Sequence, residues 1–172
     1  CGHRPNKKIV SIDEMKERLK TAVSSKIDDS FFIMARTDAL ASEGITGAIK
    51  RCEAYIEEGI DGIFLEAVTS IEEYEVFKKN LSIPVLANIT EFGKTPLFNQ
   101  NQLKEVGVDM ILYPLTAFRA MSASAEKIYD SIIKDGTQER LLDIMQTREE
   151  LYEVLDYYNH EKKLDIKFSN KD

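Results

Sequence analysis

Four short apolar runs lie between Phe31 and Tyr113, each preceded by a helical stretch and followed by polar residues. They are Phe31–Ala35, Gly62–Leu65, Pro84–Ala87 and Asp109–Tyr113. Runs this short and this continuously apolar read as strands covered on both faces, which is the habit of parallel sheets in β/α proteins. The intervening segments keep a helical period. Ile12, Met15, Leu19, Ala22 and Val23 follow the capping-box form Ser11-Ile12-Asp13-Glu14. Ile45, Ala48, Ile49, Cys52, Tyr55 and Ile56 make one face, closed by Gly59 as a C-terminal cap. Ser70-Ile71-Glu72-Glu73 starts a third helix carrying Tyr74 and Phe77, and a fourth begins near Asn99 with Gln102 in the capping position.

No Gly-x-Gly-x-x-Gly turn follows any of the runs, so the main reason to expect a dinucleotide fold is missing and a barrel is favoured over an open sheet. Four strands cannot close an eight-stranded barrel. The expected architecture is therefore α/β, the second half of a TIM-type (β/α)8 barrel, with the first half lying outside this chain. The repeat reads as one of element type rather than of residues.

Beyond the fourth run, Ala117 to Lys134 reads as a long helix ended by Gly136. Leu141 to Met145 reads as another helical segment, and Thr147-Arg148-Glu149-Glu150 as a further capping box. The expected division is 1–135 for the half-barrel with its long helix and 136–172 for a helical extension, charged and frayed from Lys162 onward. The apolar faces after Ala117 exceed what a barrel rim needs, which points to packing on another subunit.

Composition narrows the partners. The 172 residues are 43% hydrophobic with a formal net charge of -7, enough for a real core and without the basic stripe that nucleic-acid binding requires. No apolar run approaches the roughly 20 residues of a membrane helix. The two cysteines, Cys1 and Cys52, suit a reducing compartment, so the cytoplasm is expected. The chain opens on Cys1 rather than Met, with no helix or strand before its first polar residues, and a beginning cut off is expected.

In a barrel of this type the chemistry sits at the C-terminal ends of the strands. That rule selects Arg36, Thr37 and Asp38 after the first run, Glu66 after the second, Asn88, Thr90 and Glu91 after the third, and Arg119 a little beyond the fourth. Arginine forks, amide and hydroxyl donors and a carboxylate describe a pocket for a small polyanionic acid. Taken singly, each of these residues could equally cap a helix or pair at the surface. Cys1-Gly2-His3 pairs a thiol with an imidazole, although so short a motif is weak taken alone. Cys52, between Ile49 and Ile56, reads as core, and His160 as solvated surface.

At this point the residues resemble a known family. Cys1-Gly2-His3-Arg4-Pro5-Asn6-Lys7 resembles the end of the Cys-Gly-His signature of the isocitrate lyase superfamily. Ile33 to Ala39, Ala87 to Gly93, Thr95 to Phe98, Tyr113 to Met121 and Met145 to Arg148 resemble its 2-methylisocitrate lyase branch in order and spacing. The resemblance implies retro-aldol cleavage of 2-methylisocitrate to pyruvate and succinate in the methylcitrate cycle of propionate breakdown, with Mg²⁺ as cofactor. It implies Cys1 as the proton donor with His3 and Gly2 beside it, Arg36 at the pyruvate half, and Glu66 in or near the metal's second shell. Asn88, Ile89, Thr90, Arg119 and Arg148 would contact the substrate carboxylates. The metal's aspartate ligands would come from strands before the cysteine, and the partners would be a di- or tricarboxylate, the N-terminal half of the same enzyme, and further copies in a homotetramer exchanging C-terminal helices. Isocitrate lyase or a phosphonopyruvate-type lyase is the alternative within the superfamily. A non-catalytic half-barrel that associates with an N-terminal partner is the alternative of another class.

Overall fold

The structure is a computed structural model and describes residues 8–169; Cys1, Gly2 and His3 lie outside the described residues. The chain forms two compact units, Cys1–Thr116 and Ala117–Asp172.

The first unit alternates helix and strand: α1 (Ile12–Ser24), β1 (Met34–Thr37), α2 (Leu40–Ile56), β2 (Gly62–Leu65), α3 (Ile71–Asn80), β3 (Val85–Asn88), α4 (Gln100–Glu105) and β4 (Met110–Leu112). All three strand pairs are parallel and the order is β1-β2-β3-β4, each strand beside its sequence neighbour. That unbroken order is the barrel progression; a doubly wound sheet reverses direction at a switch point. Four successive β/α units of a TIM-type barrel are present.

Strand periodicity sorts the side chains. Ala35, Ile63 and Val85 share one row in register, Thr37, Leu65 and Ala87 the next, and all six are buried. With Ala48, Cys52 and Tyr55 of α2, Tyr74 and Phe77 of α3 and Leu103 of α4 they build the core. Each large apolar side chain removed from water there contributes about 1.5–3 kcal/mol. On the opposite face Arg36, Phe64, Leu86 and Met110 are aligned and only partly buried or exposed, the face that points inward in a barrel.

The first strand begins later than its apolar run. Phe31 and Phe32 stay outside it, because Ser30 N–H donates to Asp28 Oδ1 at 2.8 Å and the chain is still turning. Phe32 instead covers the start of β2, where a Cβ on Gly62 would lie 2.9 Å from its ring.

A residue-level repeat holds the N-terminal end of the sheet. Gly59-Ile60-Asp61 and Gly107-Val108-Asp109 each end a helix with a left-handed glycine, at φ 85° and 82°. Asp61 Oδ2 accepts from Ile33 N–H at 2.8 Å and from Lys26 Nζ at 2.7 Å. Asp109 Oδ2 accepts from Val85 N–H at 2.8 Å and from Lys78 Nζ at 2.7 Å. Each aspartate also donates its own N–H back, to Ile33 O at 2.8 Å and Val85 O at 3.1 Å.

The helix starts are built as their sequences specify. Ser70 and Glu73, and Asn99 and Gln102, exchange bonds as full capping boxes. Ser11 accepts from Glu14 N–H, while the Glu14 carboxylate goes to Arg18 one turn on. In the second unit α5 (Thr116–Asp135) is followed by a 3-10 turn (Glu139–Ile144), α6 (Arg148–Val154) behind a full Thr147–Glu150 box, and α7 (Tyr157–Ser169). The charged stretch from Lys162, expected to fray, is helical through Ser169.

Candidate active site at the strand ends

Three adjacent strands deliver one polar cluster. Arg36 stands on β1 one residue before its end, Glu66 follows the last residue of β2, and Asn88 closes β3. Arg36 donates to Asp38 as a fork, Nε to Oδ1 at 2.7 Å and Nη2 to Oδ2 at 2.9 Å. The same Nη2 lies 3.2 Å from Glu66 Oε2, which also accepts from Asn88 Nδ2 at 3.4 Å. Beneath the guanidinium, the Phe64 ring centroid lies 5.1 Å from Cζ.

The electrostatics follow from these contacts. The hydrogen bonds to Asp38 raise the Arg36 pKa against the opposing effect of partial burial, with Glu66 adding to the rise, so Arg36 is a fixed cation. Glu66 is only 4% exposed, and the contacts to Arg36 and Asn88 replace the water that a carboxylate so deep has lost. Arg36 Nη1 has no hydrogen-bond partner among the described residues, and Asn88 Oδ1 is buried without one. The partly exposed guanidinium therefore offers a donor to a ligand beside a positive charge, while the Asn88 oxygen is an unsatisfied acceptor within the cluster.

Two turns next to the cluster carry backbone strain. Ala67, directly after Glu66, has φ 58°, and Phe92, directly after Glu91, has φ 62°. Side chains beyond glycine rarely occupy that region, and where they do it is held by surrounding structure.

Of the other candidates, Thr37 is buried and its Oγ1 accepts from Ala39 N–H at 3.3 Å. Ile89 and Thr90 are buried at the turn after β3, and Glu91 accepts from the Thr116 hydroxyl. Arg119, in the first turn of α5, and Arg148, the first residue of α6, are exposed residues of the second unit. Cys52 is core, its thiol pushed up to about 12 by burial, and His160 is exposed.

The sequence reading misses Arg51. It stands among Ala48, Cys52 and Tyr55 on the buried face of α2 and lines a cavity of about 210 Å³ with Lys8, Val10, Arg36 and Asp38. Helical spacing alone could have found it, as a charge placed on an otherwise apolar stripe.

Among the described residues no group of three or more His, Cys, Asp or Glu side chains could hold a metal ion. The carboxylates of Asp38 and Glu66 already bind Arg36. The described residues thus do not supply a metal's ligand set.

A parallel β/α sheet with cation, carboxylate and amide gathered at its strand ends defines a barrel-type chain whose candidate site lies at that edge. The profile of the phosphoenolpyruvate phosphomutase family matches residues 2–133. The 2-methylisocitrate lyase of Salmonella typhimurium is 53% identical over 171 residues, covering 99% of this chain and 58% of that protein. That of Vibrio cholerae is 55% identical over 175 residues, covering 98% and 57%. The crystal structure of 2,3-dimethylmalate lyase, a member of the phosphoenolpyruvate mutase/isocitrate lyase superfamily, superposes with a TM-score of 0.83 at 29% identity, covering 97% of this chain and 56% of that one. This chain belongs to the phosphoenolpyruvate phosphomutase family, within that superfamily. It spans somewhat over half the length of the curated relatives it matches.

Proposed function

We propose that this chain is the second half of the β/α barrel of a carbon–carbon lyase that cleaves 2-methylisocitrate to pyruvate and succinate. The observation that carries the reading is the Arg36–Glu66–Asn88 cluster, set in a chain 53% identical to a 2-methylisocitrate lyase. Cleavage begins when a general base takes the substrate hydroxyl proton. The electrons of that O–H bond form the carbonyl of pyruvate, the carbon–carbon bond breaks, and the succinate half leaves as an aci-carboxylate that must take up a proton. Arg36 faces the keto-acid half, where its permanent charge and Nη1 donors stabilise the oxyanion. Asp38 and Glu66 keep the guanidinium from rotating, so the donors need no rearrangement as charge develops. Asn88, Ile89, Thr90, Arg119 and Arg148 bind the carboxylates of the other half. Cys1 supplies the proton to the aci-carboxylate, with Gly2 and His3 beside it.

Mg²⁺ belongs to this reading as the cofactor, with ligands other than the described residues. The reaction serves propionate breakdown in the cytoplasm. The described helices include none long and apolar enough to cross a membrane. Residues 1–135 act as the half-barrel and 136–172 as the helical extension. Exposed apolar side chains along α5, α6 and α7, among them Met121, Ile133, Val154 and Ile166, support a homotetramer whose C-terminal helices exchange between copies.

The test is a pyruvate-release assay on the full-length protein with 2-methylisocitrate and isocitrate side by side, with Mg²⁺ present or chelated and Cys1→Ser as control. Metal-dependent pyruvate formation that the substitution abolishes supports the reading. Glyoxylate from isocitrate at a comparable rate overturns the substrate, and turnover of neither overturns the lyase.

A further inference from the structure

Arg51 is 6% exposed and uses all three guanidinium nitrogens. Nε and Nη2 donate to the two oxygens of Glu43, each at 2.7 Å, while Nη1 donates to Val10 O at 2.8 Å and Tyr55 Oη at 3.3 Å. Between the two partners of the fork α2 is broken at Gly44, whose φ of 67° and ψ of −177° are not helical. The short turn Leu40–Glu43 is therefore not held to the rest of α2 by a regular helical backbone, and the fork bridges the break. Only Ala39, the N-cap, separates that turn from Asp38, the residue gripping Arg36. Gly47 has the contour such a bridge needs, since a Cβ there would lie 2.6 Å from Glu43 Cβ and 3.3 Å from its Oε2. The charges reinforce each other: the bond to Glu43 raises the Arg51 pKa and the same bond lowers that of Glu43.

We propose that Arg51 is a positioning residue, holding the Asp38 turn through Glu43 and the segment entering α1 through Val10 O. Both held segments line the one cavity, together with Arg36. One side chain thus ties the turn after β1 to the segment entering α1. In catalysis this rests on the lyase reading; as a mechanical tie it does not. Displacing Asp38 lets Arg36 turn away from the position where charge develops. A shift of about 1 Å can cost ~100-fold in rate while leaving ground-state binding largely intact.

The experiment measures hydrogen exchange by mass spectrometry together with kcat and KM for R51M, R51K, E43Q and G47A in the full-length protein. K78M, which removes an ion pair at the opposite end of the sheet, is the control for stability. Expected are faster exchange in residues 8–15 and 38–43 for R51M, faster exchange in 38–43 for E43Q and G47A, and kcat lowered about tenfold or more with KM within about twofold. R51K, keeping the charge without the fork, falls between. K78M lowers Tm without lowering kcat. Wild-type exchange in both segments of R51M, or equal kcat losses in K78M and R51M at matched Tm, overturns the proposal. If R51M does not fold, E43Q and G47A decide it, since neither removes the buried cation. Inactivity of the wild-type protein would count against the lyase reading alone, and exchange in 8–15 and 38–43 would still decide the tie.

Discussion

Arg36 and Asp38 are separated by a single residue, yet they form a two-bond fork at 2.7 and 2.9 Å. The chain leaves β1 at Thr37, so Asp38 no longer follows the strand's alternation and can fold back onto the guanidinium. The arginine at the strand end is thereby fixed by its own connecting turn.

Arg36→Lys keeps the charge and loses the fork. Steady-state kinetics on 2-methylisocitrate should show kcat/KM lower by about 10²–10³-fold, the usual cost of one misplaced electrostatic donor. Asp38→Asn should cost less, because one of its side-chain oxygens can still accept from Arg36.

Asp61 gives a stability prediction with a sign. Its carboxyl is held below the usual range first by Ile33 N–H and then by Lys26. A folded value below the unfolded one, about 3.9, means that the stabilisation is present at neutral pH and is lost as pH falls through the folded value. Asp61→Asn should lower Tm at pH 7, and the gap to wild type should narrow in melts taken below about pH 4. Asp109 is also lowered overall: burial pushes it up, and the bonds from Lys78 and Val85 N–H outweigh that. Asp109→Asn should show the same convergence.

Tyr74 is fully buried on α3, edge-on to Phe98 at 6.4 Å between ring centroids, and its hydroxyl has no hydrogen-bond partner among the described residues. Burial, with Glu66 adding to it, pushes its pKa up, so it stays neutral. Tyr74→Phe removes a desolvated, unbonded group, and chemical denaturation should find the protein unchanged or stabilised by about 1 kcal/mol.

The Cys52 thiol, held at about 12 by burial, should resist alkylation at pH 8 until the protein unfolds. Thiol titration of the native full-length protein should leave Cys52 unmodified, and peptide mapping checks this directly.

How much of this was legible in the sequence depends on range. Caps at Ser70, Asn99 and Thr147 could be read because each is closed within a few residues. Arg36, Glu66 and Asn88 could be read as strand-end groups, since in a parallel β/α chain the strand ends are located by the pattern itself. Their convergence on one Glu66 oxygen could not, because it depends on the sideways register of three strands. The break at Gly44 was hidden by the periodicity of the residues after it. The tie from Arg51 to Val10 spans 41 residues and leaves only a charge on an apolar stripe. The Gly-x-Asp repeat was visible as letters, but only the bonds at Asp61 and Asp109 reveal its purpose.

Those two aspartates grip the start of the sheet, while the candidate chemistry is at its finish. The scaffold is therefore modular. A strand-top residue can be exchanged for one suited to a different acid without loosening the joints that set the register, and a joint can be strengthened without touching the reacting groups. For protein engineering, this makes the chain a chassis on which substrate choice and heat resistance can be adjusted by separate sets of substitutions.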